Sequence, residues 1–184
     1  PGTCSKDLAK IVGTGGKIIA VDKSSHYIQH IKKNLQNKYP QIIPICTSFE
    51  DLKLEPNSID HMFCRWSLAW VQNPNKIIDN IKNFLKKGGK MVFHEYYDWS
   101  THQIFPFKEK IDICIKAALK SFKESDFEID IGAALPQLLY DMDFNIISTR
   151  LMPKLAKPGS KEWNWPKTFY YSYFPRLVKM GYLN

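Results

Sequence analysis

No stretch of this chain approaches the roughly 18 uninterrupted apolar residues that a membrane-spanning helix requires. No repeat and no low-complexity tract interrupts it, so neither a solenoid nor a disordered linker is expected. Cysteine is sparse: Cys4, Cys46, Cys64 and Cys114 are scattered, without a CxxC pair or a histidine at metal-ligand spacing. A disulfide framework and a zinc site are therefore not expected. Cys46 and Cys64 fall in apolar strand-like stretches and read as buried, reduced thiols, which favours a cytoplasmic setting. There is no initiator methionine either; the chain opens on "PGTCSKDL", a turn running straight into a helix start.

What is present is an ordinary globular composition, 44% apolar and 24% charged, in a length of 184 residues that fits a single domain over residues 1–184. The net charge of +8 is carried by lysines spread over expected helix exteriors, among them Lys32, Lys82, Lys108, Lys116 and Lys120. A nucleic-acid surface would gather such charge into a stripe interleaved with aromatics. Nucleic acid is accordingly not the expected partner.

The order of elements is more informative. Thr3 or Ser5 can cap a helix carrying Leu8, Ile11 and Val12, stopped by Gly13. "GTGG" then precedes a strand, whereas a phosphate cradle follows one, so Gly13, Gly15 and Gly16 read as a helix-to-strand turn. Strands are expected at 17–22, 42–46, 59–65 and 90–96, with Pro44 marking an edge. Ser24 or Ser25 caps a helix bearing Ile28, Ile31 and Leu35, and Asn73-Pro74 opens another that Lys86, Lys87 and Gly88 should end. This alternation predicts a doubly wound, Rossmann-like α/β fold, its mostly parallel sheet covered by helices on both faces.

From 97 to 132 the rhythm breaks. Phe107, Ile111, Ile115, Ala118 and Phe122 predict one long amphipathic helix, read as a helical cap or lid. A helix near 136–142 and a strand "FNIISTR" at 144–150 should follow, with no strand after Arg150. Residues 151–184 are rich in aromatics, with Pro166 and Pro175 each placed to begin a short helix; Phe169, Tyr173 and Leu177 repeat at core spacing. A parallel sheet of this kind centres on a first strand that precedes its first helix. The chain is thus expected to start inside such a domain, with that strand and its glycine turn missing upstream.

Five segments in register resemble the class I S-adenosylmethionine-dependent methyltransferases, specifically the type 11 or UbiE-like group. "PGTCSKDLAKI" resembles the continuation of the family's glycine motif, and "AVDKS" the acid that closes its second strand. "TSFEDLKLEPNSID" resembles the adenine-side segment, "CRWSLAWV" the segment after the fourth strand, and "FLKKGGKMVF" the LKPGG turn. The resemblance covers residues 1–96. It implies S-adenosylmethionine as cofactor and methyl transfer to a small-molecule acceptor by in-line displacement. It also implies a cofactor site formed by Gly2, Asp22, Lys23, Ser48, Phe49 and Arg65. Ser48 stands where the family has an acid. Glu50 and Asp51 read as a solvated loop pair.

Acceptor-lining candidates are Trp66, Trp70, Tyr97, Trp163, Trp165 and Tyr171. No metal is expected. His94, Glu95, Tyr96 and Tyr97 stand at a strand end where a base could act, with His94 and Tyr96 on one face and Glu95 and Tyr97 on the other, but none is assigned that role. Two other readings stay open: a methyltransferase-like binding module without catalysis, and an NAD-dependent oxidoreductase. The second meets Ser5 where its fingerprint wants a third small residue.

Overall fold

A computed structural model of the chain describes residues 2–184. Pro1, read above as part of the opening turn, lies outside the described residues. The chain divides into two compact units. One comprises residues up to Ser58 with Lys76–Lys86; the other comprises Ile59–Asn75 with Lys87–Asn184.

The first unit is built on two parallel strands. β1 (Ile18–Asp22) pairs with β2 (Ile42–Cys46) in the register Ile18 to Ile42 through Asp22 to Cys46. Alternation sends Ile18 and Ala20 to one face, where they are buried with Ile42, with Ala9 of α1 (Thr3–Val12) and with Ile31 of α2 (Ser25–Ile31). Leu8, Leu35 and Tyr39 close over this cluster. Among the described residues β2 pairs with β1 alone, so Pro44 costs no second ladder. Ser24 caps α2 as expected, its hydroxyl accepting from the Tyr27 N–H at 3.4 Å. The helix then widens into a π-helical turn, Lys32–Gln36.

Two expectations for α1 are corrected. Neither Thr3 nor Ser5 caps it; Gly2 occupies the cap position in the left-handed region (φ 76°) and its carbonyl accepts from the Lys6 N–H. The inward face is Leu8 and Ala9, while Ile11 is 78% exposed, because a ten-residue helix presents only one narrow stripe to a two-stranded pair. Gly13 ends the helix at φ 69°, donating to the Ala9 carbonyl, in the expected helix-to-strand turn. Cys46, expected inside, is exposed, since it is the last residue of β2.

The second strand pair is β3 (Ile59–Arg65) with β4 (Leu85–His94). The N–H of Ser58 meets the carbonyl of Phe84 at one end, and that of Trp66 meets the carbonyl of His94 at the other. Both partners advance together along the sequence, so this pair is parallel too. α3 (Pro74–Phe84) buries Ile77 and Ile78 and stops earlier than Lys86. Its last carbonyls, of Asn83 and Phe84, already accept from Asn57 and Ser58, which draws the chain into extended pairing.

The rest is helical: α4 (Glu109–Lys123), α5 (Ile131–Asp141) and α6 (Asn164–Lys179). Ile115, Ala118 and Phe122 of α4 are buried as expected, whereas Phe107 precedes the helix and is exposed. Residues 144–150 form no strand; Ile147 is 71% exposed, and an alternating pattern makes a strand only where a ladder partner exists. Pro166 and Pro175 do not open two helices. Pro166 lies in the first turn of α6 and Pro175 inside it, with Leu177 fully buried beyond.

Candidate functional site

In the first unit the residues of interest gather at the carboxyl ends of β1 and β2. Parallel strands present ligand sites at that end. Asp22 closes β1, half-buried, its Oδ1 accepting from the Ser24 N–H at 2.8 Å. This bond fixes the carboxylate in orientation and occupies one of its roughly four acceptor sites. The remaining sites suit the vicinal hydroxyls of a ribose. Lys23 is exposed, and its carbonyl takes a long contact from the Cys46 thiol at 3.8 Å.

Ser48 is half-buried and closes a small turn: its hydroxyl donates to Asp51 Oδ2 at 2.8 Å and accepts from the Asp51 N–H at 3.1 Å. Asp51, itself exposed, is therefore tied to Ser48 and brings a carboxylate beside its hydroxyl. Phe49 is half-buried next to it. Gly2 also stands close to the next helix: a Cβ there would lie 2.6 Å from Leu35 Cδ1 and 3.0 Å from Ile31 Cγ1. A side chain there would have to displace the ends of Leu35 and Ile31, and the positive φ of 76° itself favours glycine.

The second unit holds Arg65 and an aromatic cluster. Arg65 ends β3, its guanidinium 5.2 Å from the centre of the Trp66 ring. Trp66 has a left-handed backbone (φ 52°), costly for a bulky residue. That conformation brings its ring parallel to Tyr96 at 5.4 Å and within 5.7 Å of His94 and of Trp165. Trp99, 5% exposed, joins Tyr96, His102, Phe122, Trp165 and Phe169 at centroid distances of 5.1–5.7 Å. Its backbone N–H donates to Asp130 Oδ1 at 2.8 Å, which ties the Trp99 turn to the start of α5. Gly132 sits so close to Tyr96 that a Cβ would be 2.5 Å from the Tyr96 carbonyl oxygen.

The acceptor candidates separate. Trp66 and Trp165 meet in this cluster. Trp70 turns to Phe122 and Phe127 at 5.6 and 6.2 Å, a core contact. Trp163, half-buried, precedes α6 and makes none of the cluster's ring contacts among the described residues. Tyr97 is exposed, and Tyr171, 77% exposed, lines an open hollow on α6 with Asn164, Lys167 and Thr168.

Sequence reasoning missed the part played by Glu95. Its Oε1 accepts from the N–H groups of Ser67 (3.0 Å) and Leu68 (3.1 Å) and from the Cys64 thiol (3.3 Å), pinning the turn that carries Trp66. Oε2 is buried without a protein partner. Burial first, then the Glu95 charge, pushes the Cys64 thiol far up and the Tyr96 phenol up as well. Also unforeseen were His102 and Tyr170, joined Nε2 to Oη at 2.7 Å. A histidine eight residues past the strand carries no signal of that pairing.

Burial lowers the titration of both His94 and His102, with the Arg65 charge adding to the effect at His94. Both are neutral in the fold at neutral pH. Their unfolded counterparts take up protons near pH ~6.5, so the unfolded state binds more protons below that value. The contribution of the two histidines is expected to be fully present above about pH 6.5 and to be lost as the pH drops through the lowered folded values. Urea midpoints from pH 7.5 downward check this; replacing both histidines with phenylalanine should flatten the upper part of that acid limb.

Parallel strands alternating with helices, with an acid closing β1 and a half-buried polar turn after β2, make a Rossmann-like α/β framework. The "Methyltransferase domain" family profile matches residues 1–93, half of the chain. The chain belongs to that family, the type 11 group of class I S-adenosylmethionine-dependent methyltransferases, and S-adenosylmethionine is its cofactor.

The chain is 25% identical to the ubiquinone/menaquinone biosynthesis C-methyltransferase UbiE of Francisella tularensis subsp. holarctica, the match covering 82% of this chain and 66% of that one. It is 29% identical, over 101 residues, to an uncharacterized 37.1 kDa protein in transposon TN4556 of Streptomyces fradiae. That match covers 55% of this chain and 29% of that one. The chain thus spans less than a third of one relative and about two thirds of the other. Among solved structures, a SAM-dependent methyltransferase from Aquifex aeolicus superposes with a TM-score of 0.58 at 14% identity, covering 77% of this chain and 66% of that one; this likeness bears out the fold. No helix among the described residues is long and apolar enough to cross a membrane.

Proposed function

We propose that the chain takes part in methyl transfer from S-adenosylmethionine to a small-molecule acceptor. The observation that carries this reading is Asp22: a half-buried carboxylate at the end of a parallel strand, oriented by one backbone N–H and otherwise open. In this reading Asp22 receives the ribose hydroxyls, Phe49 lies against the adenine, and the Ser48–Asp51 turn offers oxygen acceptors to its amino group. Lys23 is placed in the same reading as a flanking contact, and Arg65, in the second unit, is kept as a candidate on the resemblance alone. The bound cofactor supplies a methyl group already activated on a positive sulfur.

The protein's share is alignment and exclusion of water. Holding reactants in line contributes up to about 7–11 kcal/mol of barrier lowering in favourable systems. Trp66 and Trp165, ringed by Tyr96 and Trp99, are read as the acceptor wall; Tyr97, Trp163 and Tyr171 are retained as outer candidates. Aromatic faces there are also suited to a neighbouring positive charge.

The test is calorimetric titration of S-adenosylhomocysteine into wild type and Asp22→Ala. Wild type is expected to bind, and the variant to bind tenfold or more weakly, a loss of about 1.4 kcal/mol. A folded protein that binds no S-adenosylhomocysteine overturns the reading and leaves a methyltransferase-like surface module in its place.

A further inference from the structure

We propose that the second unit carries a binding site for an aryl carboxylate, with Arg65 as its anchor and the Trp66 stack as its wall. Every residue of this site lies in that one unit, so the proposal does not rest on the methyl-transfer reading.

Arg65 and His94 are the last residues of β3 and β4. The Trp66 N–H donates to the His94 carbonyl at 3.0 Å, which in a parallel pair sets Arg65 beside His94 on one face. Ligands of parallel sheets gather outside the carboxyl ends of the strands. Here that end presents a guanidinium.

The guanidinium is half-buried and unpaired. Among the described residues no carboxylate forms an ion pair with it, and no oxygen accepts from its side chain. Glu95, next after β4, is engaged elsewhere: the Ser67 and Leu68 N–H groups and the Cys64 thiol occupy Oε1, and Oε2 is buried. A partly desolvated cation without an anion carries a cost that a bound anion offsets. The planar fork of a guanidinium fits a carboxylate through two parallel hydrogen bonds.

The neighbouring charge has the same sign. Burial first, then the Arg65 charge, lowers the titration of His94; Lys154 adds to the effect, and only Glu95 acts against it. Such surroundings disfavour a cationic ligand and favour an anionic one.

The rings specify the rest of the ligand. Trp66 holds an unfavourable left-handed backbone (φ 52°), and strain of this kind persists only where the surroundings over-determine it. The Glu95 bonds to the next two N–H groups supply that restraint. The outcome is an indole 5.2 Å from the Arg65 guanidinium carbon, parallel to Tyr96 at 5.4 Å and tilted against Trp165 at 5.7 Å. An arginine stacked in this way is pre-organised and loses less freedom when it binds. Trp66, Tyr96 and Trp165 are half-buried, in contrast to Trp99, so part of each ring stays at the surface for a flat apolar body. Inorganic phosphate would use the guanidinium and leave these rings idle. An aromatic ring bearing a carboxylate uses both.

The test is calorimetric titration of 2-naphthoate and 2-naphthamide, flat probes of similar size that differ in charge, into the full chain with no cofactor added. Wild type is expected to prefer the naphthoate by about tenfold or more, since hydrogen bonds to an ionised group are roughly twice as strong as neutral ones. Arg65→Gln should bring the ratio to about one while both probes still bind, because the rings remain. Arg65→Lys keeps the charge and loses the fork, so an intermediate ratio is expected.

Equal ratios in wild type and Arg65→Gln overturn the proposal, as does a folded wild type that binds neither probe. Circular dichroism checks that each variant is folded. If Arg65→Gln does not fold, Arg65→Lys decides, and a ratio equal to that of wild type overturns the proposal. S-adenosylhomocysteine is absent throughout, so failure of its binding to wild type removes the methyl-transfer reading and leaves this result untouched.

Discussion

Replacing Trp99 with alanine is expected to destabilise the protein by about 3–5 kcal/mol, the usual cost of emptying a large aromatic site in a core. Trp99 is the hub of the second unit. Tyr96 follows β4, His102 follows the Trp99 turn, Phe122 comes from α4, and Trp165 and Phe169 come from α6; all five rings pack on the one indole. With the indole gone, that many rings from that many segments cannot close the space without moving backbone. Trp99→Phe separates packing from polarity. It keeps most of the ring and removes an indole N–H that is buried without a partner. The lost area and the relieved polar group act in opposite directions, so a cost of about 1–2 kcal/mol is expected. Urea unfolding followed by far-ultraviolet circular dichroism measures both. An alanine variant that loses less than about 1 kcal/mol, the range of surface changes, would mean that the rings do not share one core.

Glu95→Ala is expected to cost about 2–4 kcal/mol, by a different route. The substitution leaves the N–H groups of Ser67 and Leu68 without their acceptor and removes the partner of the Cys64 thiol. Hydrogen bonds to a charged group are worth about 1.5–3 kcal/mol each, and buried donors left alone carry their own penalty. Glu95→Gln retains an oxygen for the two backbone donors and loses only the charge, so about 1 kcal/mol is expected. The alanine variant should also release Trp66 from its left-handed backbone, since the turn that holds it begins at Ser67. Near-ultraviolet circular dichroism reports that release as a change in the Trp66–Tyr96 stack. An unchanged spectrum together with unchanged stability would show that Glu95 does not hold this turn.

Much of this architecture was readable from residues whose effects are local. Ser24 caps α2 because its hydroxyl needs only the backbone three residues on, and Ile28 and Ile31 mark the buried face by spacing alone. Asp22 could be placed at a strand end because apolar residues stop there. The failures came where the outcome depended on more than the local pattern. Residues 144–150 alternate like a strand and are not one, for want of a ladder. Pro175 looks like a helix start, yet α6 continues through it, since Phe169, Tyr170, Tyr173 and Phe174 stack along the helix and Leu177 is fully buried beyond. The site divides in the same way. Asp22 was legible, whereas the three donors on Glu95, the Ser48–Asp51 turn and the His102–Tyr170 bond lie in tertiary geometry that no spacing announces.

The distribution of indoles gives the molecule an uneven optical signature. All five tryptophans, Trp66, Trp70, Trp99, Trp163 and Trp165, belong to the second unit, and the first carries only Tyr27 and Tyr39 as ultraviolet fluorophores of any strength. Emission excited at the red edge of the absorption band therefore watches the aromatic unit and is blind to the strands that end in Asp22 and Cys46. A melting curve recorded that way describes one of the two units. Set beside a backbone signal from the same sample, it reveals directly whether the two units come apart together or in turn.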